Sequence, residues 1–176
     1  MAMSLETKIK TALRPVPDYP KLGTTFYDSV GVFRSGALLQ EVVSAMAAPF
    51  KGKGVTHVVG VEPQGQILGG AIAVALGAGF ISARKPRKLP WVQVRQVYSL
   101  EYGGDSLEAR RADFVEADRV IVVDDLLSSG GTAEAAGQLV KALQGKVVGY
   151  TFILETVADG GRGKLVDAPV HVLLKI

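Results

Sequence analysis

The stretch Val120-Ile-Val-Val-Asp-Asp-Leu-Leu-Ser-Ser-Gly-Gly-Thr132 gathers residue types that together could hold an anion beside hydroxyl groups. A fully apolar run ends in the adjacent acids Asp124 and Asp125; Ser128, Ser129, Gly130, Gly131 and Thr132 follow, and a helix is expected over Ala133 to Leu143. Amides at a helix start have no intrahelical acceptor, and the helix dipole favours negative charge there. Two glycines let the main chain wrap closely around a phosphate, and the three hydroxyls add donors. Neither the P-loop pattern nor a G-x-G-x-x-G after a strand is present, so the loop suits a terminal monophosphate, with the two acids suiting ribose hydroxyls beside it. The competing reading is a turn whose aspartates merely cap the next helix.

Such a loop needs a strand to deliver it, and the chain supplies several. Ser4 to Leu13 has helical spacing with Ser4 as N-cap, and Ser35 caps a second helix with Leu38, Leu39, Val42, Val43 and Met46 on its inner face. Between them, three prolines and a glycine make residues 14–23 irregular. Val55 to Val61 reads as a strand, followed by a small-residue helix from Gly65, and Phe80 to Ala83 as the next strand. Val92 to Tyr98 alternates as a half-exposed antiparallel strand does, and Val147 to Leu154 and Val170 to Leu174 are two more apolar strands. Near-continuous apolar strands alternating with helices predict one α/β domain: an open, twisted, mostly parallel sheet flanked by helices. Ligands of such sheets bind outside the carboxyl ends of the strands, where Asp124 and Asp125 fall.

Composition narrows the function classes. With 176 residues and 48% hydrophobic, the chain can bury one sizeable core. The absence of cysteine excludes disulfide scaffolds, thiolate metal sites and cysteine nucleophiles. Two histidines, His57 and His171, lie in strand patterns and are expected to be structural. A net charge of +3 does not indicate a nucleic-acid binder. No secretory signal is expected, and Ile67 to Ala83, interrupted by glycines, is too short to span a bilayer. A soluble, cytoplasmic protein is expected.

Asp124 to Thr132 resembles the phosphoribosyl-pyrophosphate (PRPP) signature of type I phosphoribosyltransferases. Asp18-Tyr-Pro-Lys-Leu-Gly23 with Phe26 and Asp28, Arg84-Lys85 with Lys88-Leu89-Pro90, and Tyr98-Ser-Leu-Glu-Tyr-Gly103 are similar to the adenine-specific members of that family. The resemblance implies transfer of 5-phosphoribose from PRPP to adenine, giving AMP and pyrophosphate, with Mg²⁺ bound through PRPP and not directly by the protein. It assigns Ser128 to Thr132 to the 5′-phosphate and Asp124 and Asp125 to the ribose. Glu101 becomes the acid/base group at the purine, although on sequence alone it is an acid in a charged loop. Thr25, Phe26, Tyr27 and Leu126 would contact adenine, within a small N-terminal hood of about residues 14–34; a core phenylalanine beside a loop is the alternative for Phe26. Arg84, Lys85 and Lys88, which composition reads as a solvated basic loop, would meet pyrophosphate from a flexible lid of about residues 85–98. A homodimer is implied, with neither nucleic acid nor membrane as partner.

The pyrophosphate loop departs from the family. Where the family has a small residue, Arg, Gly and an aromatic, this chain reads Pro63-Gln64-Gly65-Gln66. Losing the arginine's charge-assisted contact would cost about 1.5–3 kcal/mol, roughly a ten- to hundredfold rate loss if felt only in the transition state. The family's cis peptide in this loop predicts that Glu62–Pro63 is cis. Two alternatives stay open: a catalytically weak family member that binds PRPP or a nucleotide in a regulatory role, and a transferase for another base. The stretch before Pro17 is expected to be too short for the DNA-binding domain that regulators of the superfamily usually carry.

Overall fold

The computed structural model describes residues 3–176 apart from 20, 91–92, 101–102 and 115–117, and only the backbone of 93, 98–100 and 103–105. Ser4 accepts the Thr7 amide and opens α1 (Leu5–Ala12), whose Ile9 is fully buried. The segment expected to be irregular contains a strand: β1 (Arg14–Pro17) pairs antiparallel with β2 (Thr25–Asp28). Proline is confined to sheet edges, and both strands of a two-stranded ribbon are edges, so Pro15 and Pro17 are accommodated. A single turn, α2 (Val30–Phe33), follows. It lies directly on the end of α1, because a Cβ at Gly31 would stand 2.0 Å from the Ala12 carbonyl oxygen. Ser35 then accepts the Leu38 amide to open α3 (Gly36–Ala47).

The centre is a five-stranded parallel sheet. Its strands are β3 (His57–Val61), β4 (Gly79–Ala83), β7 (Arg119–Leu127), β8 (Lys146–Glu155) and β9 (Val170–Lys175). The first is followed by α4 (Gln64–Leu76); β5 (Gln93–Leu100) and β6 (Gly103–Arg110) form an antiparallel hairpin, and α5 (Gly131–Ala142) follows β7. The spatial order is β4-β3-β7-β8-β9. From β3 the chain crosses through α4 to β4 on one side, and from β7 through α5 to β8 on the other. The β3–β7 boundary is therefore where the winding reverses, and a crevice opens at the carboxyl ends of these two strands.

Alternate side chains of the central strands enter two cores. Val59, Val120 and Val122 pack with Leu139 and Val140 of α5, while Val58, Ile121 and Val123 pack with Met46 of α3 and Leu68 and Ile72 of α4. Burial on both faces explains why these strands read as unbroken apolar runs. The second hairpin strand, β6, was not expected: its Gly-Gly-Asp-Ser start carries little strand propensity, and pairing with β5 over the whole register from Gln93↔Arg110 to Leu100↔Gly103 makes it a strand. The strand carrying the acids also runs further than its apolar stretch, through Asp124 and Asp125 to Leu127, and α5 begins at Gly131 instead of Ala133.

Candidate active site

Three segments meet at the β3–β7 crevice. The first is the end of β7. Asp124 Oδ1 accepts the amide of Asp125 at 2.9 Å, and the Gly65 amide at the start of α4 also donates to this carboxyl. Gly65 has no room for a side chain: a Cβ there would lie 2.9 Å from Asp124 Oδ1 and 2.5 Å from the Val123 carbonyl oxygen. Burial first, and then the like charge of Asp125, push the Asp124 carboxyl well above the ordinary carboxylate range, against the opposing pull of the two amides. Residue Asp124 keeps some exposed surface, but its carboxyl group is enclosed. The Asp125 carboxylate accepts a hydrogen bond from the hydroxyl of Ser29, which is buried at the end of the N-terminal ribbon.

The second segment is the loop from Ser128 to Thr132. Gly130 has φ +76°, a left-handed conformation, and a Cβ on it would stand 2.4 Å from the Gly161 carbonyl oxygen. Among the described residues nothing accepts from the amides of Ser128 to Thr132, so these donors point out of the N-terminus of α5 unpartnered. The hydroxyls of Ser129 and Thr132 are likewise without partners there. Ser128 differs from expectation. Its hydroxyl donates to Asp159 Oδ2 at 2.7 Å, and Thr156 donates to the same oxygen, so Ser128 offers the crevice its amide and not its hydroxyl. The turn bearing Asp159 is held in turn by Arg162, whose guanidinium meets the buried Glu155 through Nε at 2.8 Å and Nη2 at 2.5 Å. The bidentate bond to Arg162 outweighs burial and holds the Glu155 carboxyl below its ordinary value.

The third segment joins the two stretches expected at pyrophosphate. The Glu62–Pro63 peptide is cis, as expected. Glu62 Oε2 accepts the Lys85 amide at 2.9 Å and lies 3.5 Å from Arg84 Nε. Burial alone would raise the Glu62 carboxyl, but the Lys85 amide, Arg84 and Lys88 outweigh it and hold the group below its ordinary value. The basic run is therefore anchored beside Pro63, Gln64 and Gly65. A second carboxylate, fully buried Glu108 on β6, accepts the Arg87 amide at 3.0 Å and Arg95 Nε at 2.8 Å, and its backbone exchanges two hydrogen bonds with Arg84. Sequence reasoning missed Glu108, Ser29 and Asp159, since each is an ordinary polar residue until the fold supplies its partner. The Gln64 side chain has no hydrogen-bonding partner among the described residues, whereas Gln66 donates to Ser82 Oγ at 2.8 Å.

The ribbon completes the surroundings. Tyr27 packs against the second core, whereas Phe26, on the opposite face of β2, is half-buried and outside both cores, meeting Tyr19 edge-on at 5.6 Å. The core reading of Phe26 is thereby removed. Thr25 is exposed, and Leu126 is half-buried beside the acids. Glu101 lies outside the described residues. The histidines sit elsewhere: His57 pairs with Asp118 at 3.0 Å, and His171 stacks edge-on against Phe50 at 5.4 Å.

Comparison with known proteins gives this arrangement a lineage. The family model described as "Phosphoribosyl transferase domain" matches residues 32–176. The adenine phosphoribosyltransferase of Myxococcus xanthus is 49% identical over 171 residues, covering 97% of this chain and 93% of that protein. The crystal structure of adenine phosphoribosyltransferase from Rhodothermus marinus superposes with a TM-score of 0.91 at 40% identity, covering 98% of both chains. The Saccharomyces cerevisiae enzyme, solved with an imino-altritol bisphosphate and adenine, superposes with a TM-score of 0.89 at 35% identity over 96% of this chain and 98% of that one. A shared fold and this level of identity over nearly the whole length have one explanation: the chain belongs to the phosphoribosyltransferase family, among its adenine phosphoribosyltransferases.

Proposed function

We propose that the β3–β7 crevice is where this chain transfers 5-phosphoribose from PRPP to adenine, forming AMP and releasing pyrophosphate. One observation carries the assignment of roles: the paired acids at the end of β7 stand immediately before a row of unpartnered amides at the start of α5. The amides of Ser128 to Thr132, with the hydroxyls of Ser129 and Thr132, hold the 5′-phosphate. Asp124 and Asp125 face the ribose hydroxyls. As the bond from C1′ to pyrophosphate breaks, positive charge develops on the sugar, and carboxylates fixed beside it stabilise that charge as it forms. Asp124 suits this work because its carboxyl is enclosed away from bulk water, where its interaction with that developing charge is strongest.

Phe26 stacks on the purine, with Thr25, Tyr27 and Leu126 around its edge, and Glu101 manages the proton at the base. Pro63, Gln64, Gly65, Arg84, Lys85 and Lys88 receive pyrophosphate, with residues 85–98 as the lid that excludes water. Among the described residues no group of three or more acids or histidines could hold a metal. Mg²⁺ would be carried in by PRPP, whose hard oxygens suit that ion, with the half-buried carboxylate of Asp125 the nearby anionic group of the site. Bound so, Mg²⁺ would neutralise the departing pyrophosphate.

A homodimer belongs to the same reading, supported by an uncovered apolar face: Ile67 and Val74 on α4 and Phe80 on the edge strand β4 are all exposed. A cytoplasmic location goes with it, since PRPP and AMP are too highly charged to cross a bilayer unaided. Incubation with PRPP, Mg²⁺ and a panel of bases tests the whole. AMP from adenine supports the reading, and another nucleotide would move the base assignment. Tight PRPP binding without product would favour the binding role that the neutral Gln64 keeps in view.

A further inference from the structure

Ser29 stands where a helix N-cap would stand, directly before α2, yet its side chain caps nothing. Asp28 takes that duty, its Oδ1 accepting the Val30 amide at 2.9 Å. The Ser29 hydroxyl, on a residue only 3% exposed, turns instead to the Asp125 carboxylate, 96 positions along the chain. A buried serine that forgoes the local cap for a carboxylate is set there by its seat. The Ser29 carbonyl accepts the Val32 amide at 2.9 Å, Val32 is fully buried, and Gly31 rests against the backbone of Ala12. The ribbon β1–β2 before it pairs with no other strand among the described residues and rests on the second core through Tyr27.

We infer that Ser29 is a positioning residue that ties the purine-reading strand to the sugar-reading acids through its hydrogen bond to Asp125. Phe26 lies three residues before Ser29, so the serine fixes both ends of one short lever: the ring against which the base lies, and the carboxylate against which the ribose lies. Forming the new bond requires the purine nitrogen and the sugar carbon to be aligned, and a small misplacement is costly. Nothing in the residue types around Ser29 indicates this role, because its acceptor belongs to another part of the chain. The inference rests on the reading of Asp125 as a ribose-facing acid and of Thr25 to Tyr27 as the purine-facing segment.

The test is a double-mutant cycle on purified full-length protein, read as AMP formation with PRPP and adenine each varied. The variants are Ser29→Ala, Asp125→Ala, their combination, and Ser29→Thr, which keeps a hydroxyl. Ser29→Ala should lower kcat roughly tenfold, the size expected for a hydrogen bond to a charged group. It should raise the KM for adenine although no atom of Ser29 meets the base. In the Asp125→Ala background the same substitution should do nothing further to kcat, because the acceptor is gone, and Ser29→Thr should recover most of the loss. A thermal melt of each variant identifies any loss of folded protein, and rates are compared per folded molecule. Equal losses in both backgrounds, or no loss from Ser29→Ala while Asp125→Ala is severe, would overturn the tie alone. If Asp125→Ala itself leaves AMP formation intact, the reading of the acid pair fails, and the inference with it.

Discussion

Under the proposed roles, two residues set how much work the crevice can do. Asp124 holds its proton unusually firmly, so the folded state binds more protons than the unfolded chain from about pH 4 up to the raised value. Its contribution to stability is therefore fully present at low pH and is lost as pH rises through that window. Asp124→Asn should stabilise the protein at pH 7 by about 1 kcal/mol or more and flatten the dependence of Tm on pH, while cutting turnover at least tenfold. Calorimetric melts across the pH range alongside AMP-formation rates check both halves. A site that sacrifices stability for chemistry behaves this way, whereas a merely structural aspartate would lose stability on substitution. Gln64 is the opposite case, a neutral group at the proposed pyrophosphate position with its amide uncommitted. Gln64→Arg should raise kcat/KM for PRPP by roughly tenfold, since a guanidinium adds a charge-assisted contact to the leaving group. A fall would mean that the loop has been rebuilt around glutamine.

At the scale of elements, the proposed phosphate loop is shaped from behind. Its backbone lies on the turn after β8, so closely that a Cβ at Gly161 would stand 1.9 Å from the Ser128 carbonyl oxygen and 2.5 Å from the Gly130 amide nitrogen. Both obstructing atoms belong to the main chain, so the loop itself must move if that space is filled. Gly161→Ala should raise the KM for PRPP severalfold, leave the KM for adenine near its starting value, and cost about 1–3 kcal/mol of stability. Gly163→Ala, two residues on and with nothing within 4 Å of the new methyl, serves as the control that should change neither. Chemical denaturation and steady-state kinetics of the pair decide it. The Asp159 carboxylate and the Glu155–Arg162 bond support the same turn, so the loop is held in shape before any phosphate arrives.

At the scale of the whole molecule, one apolar flank is exposed among the described residues. The outer face of α4 carries Ile67 and Val74, 56% and 84% exposed, next to β4, an edge strand of the five-stranded sheet. On the proposed homodimer reading, Val74→Glu should yield monomer at micromolar concentration where the unaltered protein is dimeric, as sedimentation or gel filtration would show, with the monomer's fold preserved because Val74 touches neither core. The architecture behind this face was readable from residue order. Apolar strands buried on both faces announce a parallel sheet, and an acid pair followed by small residues marks where the strand hands over to a helix. Both are local signals, carried by neighbours in the chain. The strand β6, the free edge of α4 and the partners of Ser29, Glu108 and Asp159 are not local. Each depends on segments brought together by burial of the two cores, from 13 to 96 positions apart in the bonds that matter. A periodic pattern records what one segment requires of its surroundings, namely a face to bury. A hydrogen bond between distant polar groups depends on where two such segments come to rest, and that is set by packing.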